Sequence, residues 1–203
     1  MEPTIYKPSI YKGAGIYKTG AAGGGGGSGE MVEIGGIKYN VISIGSQKWL
    51  DRNLYFTWSG LTINPNTQTN TAYGAFKDLD FQCSVGMAYN KAAINYLVNH
   101  TELLNGFKVP SEQDFEDLIS FVGDSNALCN DIWGGNDDYG FNLKPSGIFY
   151  SDNNNWLRQS VAQLATSHYD SVFLNLKDFA PHSYYSFESI TKANAACVRL
   201  IKA

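Results

Sequence analysis

The chain has 203 residues, of which 43% are hydrophobic and 17% charged, a composition typical of one sizeable globular domain with an extension. Its formal net charge of −4, with no concentration of lysine and arginine, argues against nucleic acid as a partner. No apolar run approaches the roughly 20 residues that span a bilayer. The first residues also lack the order of a signal peptide, so we expect a soluble protein with no membrane insertion.

Residues 1–19 carry a short repeat and are expected to form an extended anchoring segment. The triplet Ile-Tyr-Lys occurs at 5–7, 10–12 and 16–18, interrupted by prolines and glycines that prevent a long strand or helix. Such a segment cannot build its own core, so we expect it to be disordered or laid along a partner surface. The side chains that would contact the partner are Ile5, Tyr6, Ile10, Tyr11, Ile16 and Tyr17.

Residues 20–30 are rich in glycine, with an unbroken run from Gly23 to Gly27, and predict a flexible linker. A cloning scar is the alternative interpretation. Residues 31–203 have the composition of a globular domain and follow the linker directly.

The start of this domain predicts strands. Residues 31–34 and 37–44 are joined through Gly35-Gly36 as in a β-hairpin, and residues 47–50 continue as a strand after a Gly-Ser turn. Residues 57–71 are polar and rich in Asn and Thr, which predicts a long loop.

Two helices are predicted in the middle of the domain. The first covers residues 89–98, with Ala93, Tyr96 and Leu97 on one face. The second begins after Ser111 as N-cap, has acidic residues in its first turn and ends at Gly123. Its core-facing stripe has the spacing i, i+3, i+4, i+7 and consists of Phe115, Leu118, Ile119 and Val122.

Residues 126–203 are rich in loop-forming residues, with short strands predicted at 147–150 and 196–201. Strands at both ends of the domain and two helices between them predict an α+β fold in which the terminal strands pair.

The sequence carries no pattern typical of an active site. Cys83, Cys129 and Cys197 are widely separated, form no CxxC pair, and are expected to be buried thiols. The three histidines accompany neither a Gly-x-Ser-x-Gly elbow nor a His-Glu-x-x-His helix. Residues 136–138 (Asn-Asp-Asp) offer oxygen ligands for Ca²⁺, but the following Tyr-Gly-Phe fits a structural turn. We expect no enzyme activity, no metal and no cofactor.

Four segments form an ordered set of motifs. They are Ile44-Gly45-Ser46-Gln47-Lys48-Trp49 with Asn53-Leu54, Gly106-Phe107-Lys108-Val109-Pro110-Ser111, Tyr139-Gly140-Phe141-Asn142-Leu143-Lys144-Pro145-Ser146-Gly147, and Cys197-Val198-Arg199-Leu200. This order resembles the Fibrobacter succinogenes major paralogous domain family, a branch of the C-type-lectin-like fold found in surface proteins and Bacteroidales phages. Phe107 stands where the family has Trp, and the closing cysteine lies on the other side of Val-Arg. The resemblance implies a C-type-lectin-like domain with two helices and short twisted antiparallel sheets over roughly residues 35–203.

The same family and fold host the variable proteins of diversity-generating retroelements, whose residues near the C-terminus are diversified to create binding surfaces. By this resemblance, residues 167–190 carry the binding site, and their aromatic and polar composition suits loops that contact a ligand. Ordinary surface loops and short strands are the alternative. The candidate ligand-binding residues are His168, Tyr169, Asp170, Phe173, Asn175, Lys177, His182, Tyr184, Tyr185 and Phe187.

The resemblance implies a non-enzymatic display protein of a phage virion or fibre. Its N-terminal segment would bind a virion or fibre protein, the linker would give reach, and the C-terminal loops would bind a bacterial surface protein or glycan. A homotrimer is expected by analogy with phage receptor-binding proteins. Two alternatives stay open: a capsid or tail decoration protein without a host receptor, and a polysaccharide-binding domain on a bacterial cell surface.

Overall fold

The computed structural model describes residues 29–63, 74–76, 86–129, 135–144, 148–150, 155–157, 161–168, 171–176, 184–189 and 194–203. The predicted anchoring segment, with all six of its contact residues, and most of the linker lie outside the described residues. Cys83 and much of the predicted 57–71 loop do so as well. Within that loop, the described part contains a short strand at Thr62–Ile63.

A five-stranded sheet unites the beginning and the end of the domain. Its strands are β1 (Met31–Ile34), β2 (Ile37–Ile44), β3 (Gln47–Leu50), β7 (Phe107–Lys108) and β14 (Ile201–Lys202). They are ordered β1-β2-β3-β14-β7, and every pair is antiparallel. The first hairpin, the third strand and the pairing of the terminal strands are therefore confirmed. Gly35 and Gly36 both have positive φ, as a two-residue turn between such strands requires.

A second, nine-stranded sheet holds the remaining strands. These are β4 (Thr62–Ile63), β5 (Gly74–Phe76), β6 (Ala88–Asn90), β8 (Ile148–Tyr150), β9 (Asn155–Leu157), β10 (Val161–Ala165), β11 (Ser171–Leu176), β12 (Tyr184–Ser189) and β13 (Asn194–Cys197). The main path is β12-β11-β10-β13-β6-β5-β4, with β8 pairing with β13 and β9. The prediction of an α+β fold with antiparallel sheets is confirmed for the described strands, with two exceptions: β4 and β5 are parallel, as are β10 and β13.

The first helix, α1 (Lys91–Asn99), begins later than predicted. Asn90 is its N-cap, and its side-chain oxygen accepts a hydrogen bond from the backbone N–H of Ala93 at 2.9 Å. Tyr89 is instead a strand residue of β6. Ala93 and Leu97 are buried as predicted, whereas Tyr96 is only half-buried.

The second helix, α2 (Glu112–Val122), begins and ends where its sequence signals predict. The Ser111 hydroxyl accepts from the N–H of Asp114 at 3.1 Å, and the Ser111 N–H donates to the Asp114 carboxylate at 2.7 Å. This reciprocal capping box satisfies two N-terminal amides. The helix ends at Gly123, whose φ is 76°.

The predicted last strand, residues 196–201, is divided between the two sheets. β13 ends at Cys197, and β14 begins at Ile201. The residues between them cross from one sheet to the other, where the carbonyls of Val198 and Leu200 accept from the N–H groups of Leu54 and Leu50 at 2.7 and 3.0 Å. Because these carbonyls find tertiary partners, the crossing needs no strand ladder.

The core lies on both faces of the nine-stranded sheet. One buried cluster contains Ala93, Ile94 and Leu97 of α1 together with Tyr89. The other contains three buried residues of α2 together with the neighbouring strand residue Ala88. The described residues thus form an α+β fold, with the sheet between the two helical layers. In the part of the chain that is described, no helix has the length and apolar character needed to cross a membrane.

Candidate functional site

The described part of the predicted binding stretch consists mainly of two paired strands, which form a β-hairpin. β11 and β12 pair antiparallel from Ser171 opposite Ser189 to Leu176 opposite Tyr184, and β11 also pairs with β10. The prediction of loops is therefore wrong for residues 171–176 and 184–189. Both segments contain aromatic or β-branched residues, and their backbone groups find partners because β11 pairs with the buried strand β10 and β12 pairs with β11.

The ten predicted ligand-binding residues fall into three groups. Five occupy positions in the hairpin strands, with Phe173 opposite Phe187 and Asn175 opposite Tyr185. His168 lies in the turn that follows β10 and is exposed. The fifth hairpin position is Tyr184, which is opposite Leu176. The other four predicted residues lie outside the described residues and are Tyr169, Asp170, Lys177 and His182.

The hairpin positions do not share one face. Adjacent positions of a strand alternate between the two faces of a sheet, so positions 184 and 185 belong to opposite faces. Position 187 belongs to the same face as 185, and Phe187 is half-buried and packs against the core cluster that includes α2. Positions 173 and 175, opposite 187 and 185, continue this face. A ligand that approaches one face can therefore meet only part of the predicted set.

The root of the hairpin is fixed by two hydrogen bonds. Thr166 is buried, and its hydroxyl donates to the carbonyl of His168 at 3.0 Å. The backbone N–H of Ser167 donates to the carbonyl of Pro110 at 2.6 Å. Since Pro110 directly precedes the N-cap of α2, the turn that presents His168 is tied to the start of this helix.

Trp49 and Gln47, from the first sequence motif, connect the five-stranded sheet to α2. Trp49 is buried, and its indole N–H donates to the Gln47 side-chain oxygen at 3.1 Å. The Gln47 amide nitrogen in turn donates to the backbone carbonyl of Asp114 in α2 at 2.8 Å. The Trp49 ring also packs against Phe115 and Phe141, with centroids 5.3 and 5.6 Å away.

Arg199, from the last motif, is the centre of a second set of contacts. It is buried, its Nε donates to the Asn53 side-chain oxygen at 2.9 Å, and its Nη1 donates to the carbonyls of Leu50 and Phe141. The guanidinium carbon lies 4.4 Å from the centroid of the Phe141 ring. Burial lowers the pKa of Arg199 to about 10, so the side chain stays charged at neutral pH.

The acidic run at 136–138 forms part of a structural turn. The Asp137 carboxylate accepts from the backbone N–H of Asn142 at 2.6 Å, and the Asp137 N–H donates to the carbonyl of Cys129 at 2.9 Å. Burial raises the pKa of Asp137 despite this hydrogen bond and the nearby charge of Arg199. Across the described ranges, no three His, Cys, Asp or Glu side chains lie close enough together to hold a metal ion.

Together these contacts form a framework, which we define as Gln47, Trp49, Asn53, Phe141 and Arg199. The framework joins residues from three of the four motifs. The remaining motif, Gly106–Ser111, lies at the start of α2, where Pro110 accepts a hydrogen bond from Ser167 and Ser111 caps the helix. The sequence singled out these residues as motifs, but nothing in it indicated their contacts. Thr166 was assigned no role in the site, because a buried threonine beside a turn has no distinctive sequence pattern.

Comparison of the chain with known protein families, curated proteins and solved structures finds no match. The class that the described residues define is an α+β domain in which an internal framework contacts α2, and the start of α2 is tied to the root of an edge hairpin. The family membership inferred from the four sequence motifs stays a prediction.

Proposed function

We propose that the chain is a non-enzymatic display protein of a phage virion or fibre. In this proposal its C-type-lectin-like domain binds a protein or glycan on a bacterial surface, through the β11–β12 hairpin and its flanking turns. One observation supports this most strongly: the stretch with the composition of a binding surface is the last hairpin of the sheet, and its root is tied to α2. Binding segments on a rigid support lose less entropy when a ligand is bound.

The framework and the hairpin differ in the residues they use. The framework is buried apart from the half-buried Gln47 and donates to backbone carbonyls, whereas the hairpin and its flanking segments have tyrosine, histidine, asparagine and aspartate in their sequence. Aromatic side chains supply contact area at low entropic cost, and short polar side chains supply adaptable hydrogen bonds. We assign the aromatic role to Tyr169, Phe173, His182, Tyr184 and Tyr185, and the polar role to Asp170, Asn175 and Lys177.

The second part of the proposal concerns how the N-terminal residues attach the protein to the particle. Residues 1–19 bind a virion or fibre protein, and the glycine-rich residues 20–30 act as the tether to the domain. Several copies on one particle, or a homotrimer, would convert weak single sites into strong attachment. This arrangement accounts for both the repeated Ile-Tyr-Lys triplets and the glycine run.

Cell binding tests the ligand-binding half. The fluorescently labelled full chain is incubated with whole cells of a panel of Bacteroidales strains, and bound fluorescence is measured by flow cytometry. We expect binding to some strains and a loss of about tenfold for Asp170→Ala, since a hydrogen bond to a charged group contributes about 1.5–3 kcal/mol. Asp138→Ala is the matched control, because Asp138 is exposed and lies outside the hairpin.

The outcomes of this experiment are distinct. Equal binding of the strains by the wild type and by Asp170→Ala would contradict the assignment of Asp170 to the binding surface. If no strain is bound, and the hairpin amides are protected from hydrogen exchange in assembled particles, the chain is a decoration protein instead.

Particle assembly tests the attachment half. Deletion of residues 1–29 is expected to abolish incorporation into phage particles, measured by immunoblot of purified virions. The control replaces residues 20–29 with a Gly-Ser sequence of equal length, which keeps the reach and should keep incorporation. Normal incorporation of the deletion would show that the N-terminal segment is not the anchor.

A further inference from the structure

Glu30, the last residue of the predicted linker, directly precedes β1 and contacts residues of three other strands. Its carboxylate lies 2.6 Å from Nζ of Lys48 and 2.8 Å from Nζ of Lys202. Its backbone carbonyl also accepts from the N–H of Val41 at 2.9 Å. The end of the linker is therefore bound to β2 through its backbone and to β3 and β14 through its side chain.

The two lysines need this carboxylate. Ile201 is paired with Trp49, and in an antiparallel ladder this puts Lys202 opposite Lys48. Like charges on opposite positions destabilise a sheet, and the Glu30 carboxylate offsets this repulsion because it contacts both ammonium groups. Hydrogen bonds from Lys202 and Lys48 lower the pKa of Glu30 to about 2, so the three-residue contact is intact at neutral pH.

The strand order shows why this matters for a tethered domain. In the described sheet β1 is the end strand and pairs only with β2. Tension on the linker acts first at Met31, the open end of the hairpin, where backbone hydrogen bonds can break one at a time. The Glu30 carboxylate contacts the ammonium groups of Lys48 on β3 and Lys202 on β14, and these two strands lie in the interior of the sheet.

We propose that Glu30 is a clamp that transfers tension on the linker to β3 and β14, so that β1 is not peeled from the domain. The inference rests on the proposed function in one respect, since a displayed domain is pulled through its linker when its ligand is held by a cell. Glu30 is thus a positioning residue for the tether and has no role in binding the ligand.

Single-molecule pulling of the full chain tests the clamp without any ligand. One handle is attached at the N-terminus and the other to an azide-bearing amino acid at position 168, which is exposed and stands in for the point of ligand contact. The variants are Glu30→Ala and Glu30→Gln. The matched control is Glu33→Gln, because Glu33 is an exposed carboxylate on β1 itself.

The wild type should open in one transition. Glu30→Ala should show an early extension on the order of 20 Å as residues 30–34 are released. Its lifetime at constant force should fall by roughly three- to tenfold, since two charge-assisted contacts are lost. The lifetime of Glu30→Gln at constant force should lie between those of the wild type and Glu30→Ala. The lifetime of Glu33→Gln should equal that of the wild type.

Two results would overturn the clamp: Glu30 variants with the wild-type lifetime and no early extension, or an equal effect of Glu33→Gln. If Glu30→Ala does not fold, Glu30→Gln still decides the question, because it preserves the shape of the side chain. The assay contains no cells, so failure of the clamp and failure of the ligand-binding proposal are separate results.

Discussion

Replacement of Arg199 should destabilise the domain more than any surface change. Arg199→Met keeps most of the side-chain volume but leaves the Asn53 side-chain oxygen and the carbonyls of Leu50 and Phe141 without this donor. Each buried acceptor left unsatisfied costs about 1–3 kcal/mol, although removal of a charge from the interior recovers part of that sum. We expect a net loss of about 3–5 kcal/mol, a large share of the stability of a domain this size.

Arg199→Lys separates charge from geometry. A lysine keeps the charge, but its single nitrogen cannot reproduce the guanidinium fork, so we expect a loss of about 2–3 kcal/mol. The matched control is Arg52→Met. Arg52 is exposed, and its guanidinium lies over the Tyr39 ring at 5.2 Å, so this change should cost less than about 1 kcal/mol.

Urea denaturation followed by tryptophan fluorescence measures these differences in unfolding free energy, since Trp49 is a buried member of the framework. The urea concentration at the midpoint of unfolding should fall, while the dependence of the unfolding free energy on urea concentration (the m-value) should stay constant. If the free energy of unfolding of Arg199→Lys lies within about 0.5 kcal/mol of the wild-type value, the argument that the three acceptors depend on the guanidinium geometry is refuted.

Three further results are expected. Gly45 has φ of 61°, and an added Cβ would lie 2.9 Å from Cδ2 of Phe121, so Gly45→Ala should cost about 2 kcal/mol in thermal denaturation. Gly36→Ala shares the positive φ without a close neighbour and should cost about 1 kcal/mol; equal losses would show that the Phe121 contact is irrelevant. Ser111→Ala should remove about 1 kcal/mol by loss of the helix cap, measured by urea denaturation. Burial opposes ionisation of Asp114, but hydrogen bonds from Ser111 and Lys108 outweigh it and lower its pKa below the ordinary 3.8. The folded state therefore gains stability above that value and loses it as the pH falls through the folded pKa. Asp114→Asn should lessen this acid dependence, and an unchanged pH profile would contradict the assignment.

Elements governed by neighbouring residues could be predicted from the sequence. Two glycines between alternating segments predicted the first hairpin, and Ser111, Asp114 and Gly123 predicted both ends of α2. These signals act within a few residues, so the fold as a whole does not have to be known. The α+β class followed from the order of such elements.

Elements that depend on contacts between residues far apart in the sequence could not be predicted from it. The last strand is interrupted because Val198 and Leu200 give their carbonyls to residues about 150 positions earlier. The same limit applies to the candidate site. The stretch 167–190 was singled out by resemblance and composition, but its hairpin depends on pairing with β10, and its root depends on Pro110. The family, the ligand and the virion location stay predictions.

The alternation of the hairpin also sharpens the cell-binding experiment. Because positions 184 and 185 belong to opposite faces, a ligand held on one face should make Tyr184→Ala and Tyr185→Ala unequal in bound fluorescence. Equal losses would indicate that the ligand surrounds the hairpin or meets only its end.

The most direct test of the account is amide hydrogen exchange of the full chain, with and without outer-membrane vesicles from a strain that it binds. We predict that added protection is confined to residues 168–189, while α1 and the five-stranded sheet exchange as in the free chain. Protection on α1 or on the exposed Phe121 side of α2, with none in the hairpin, would contradict the assignment of the hairpin as the binding surface.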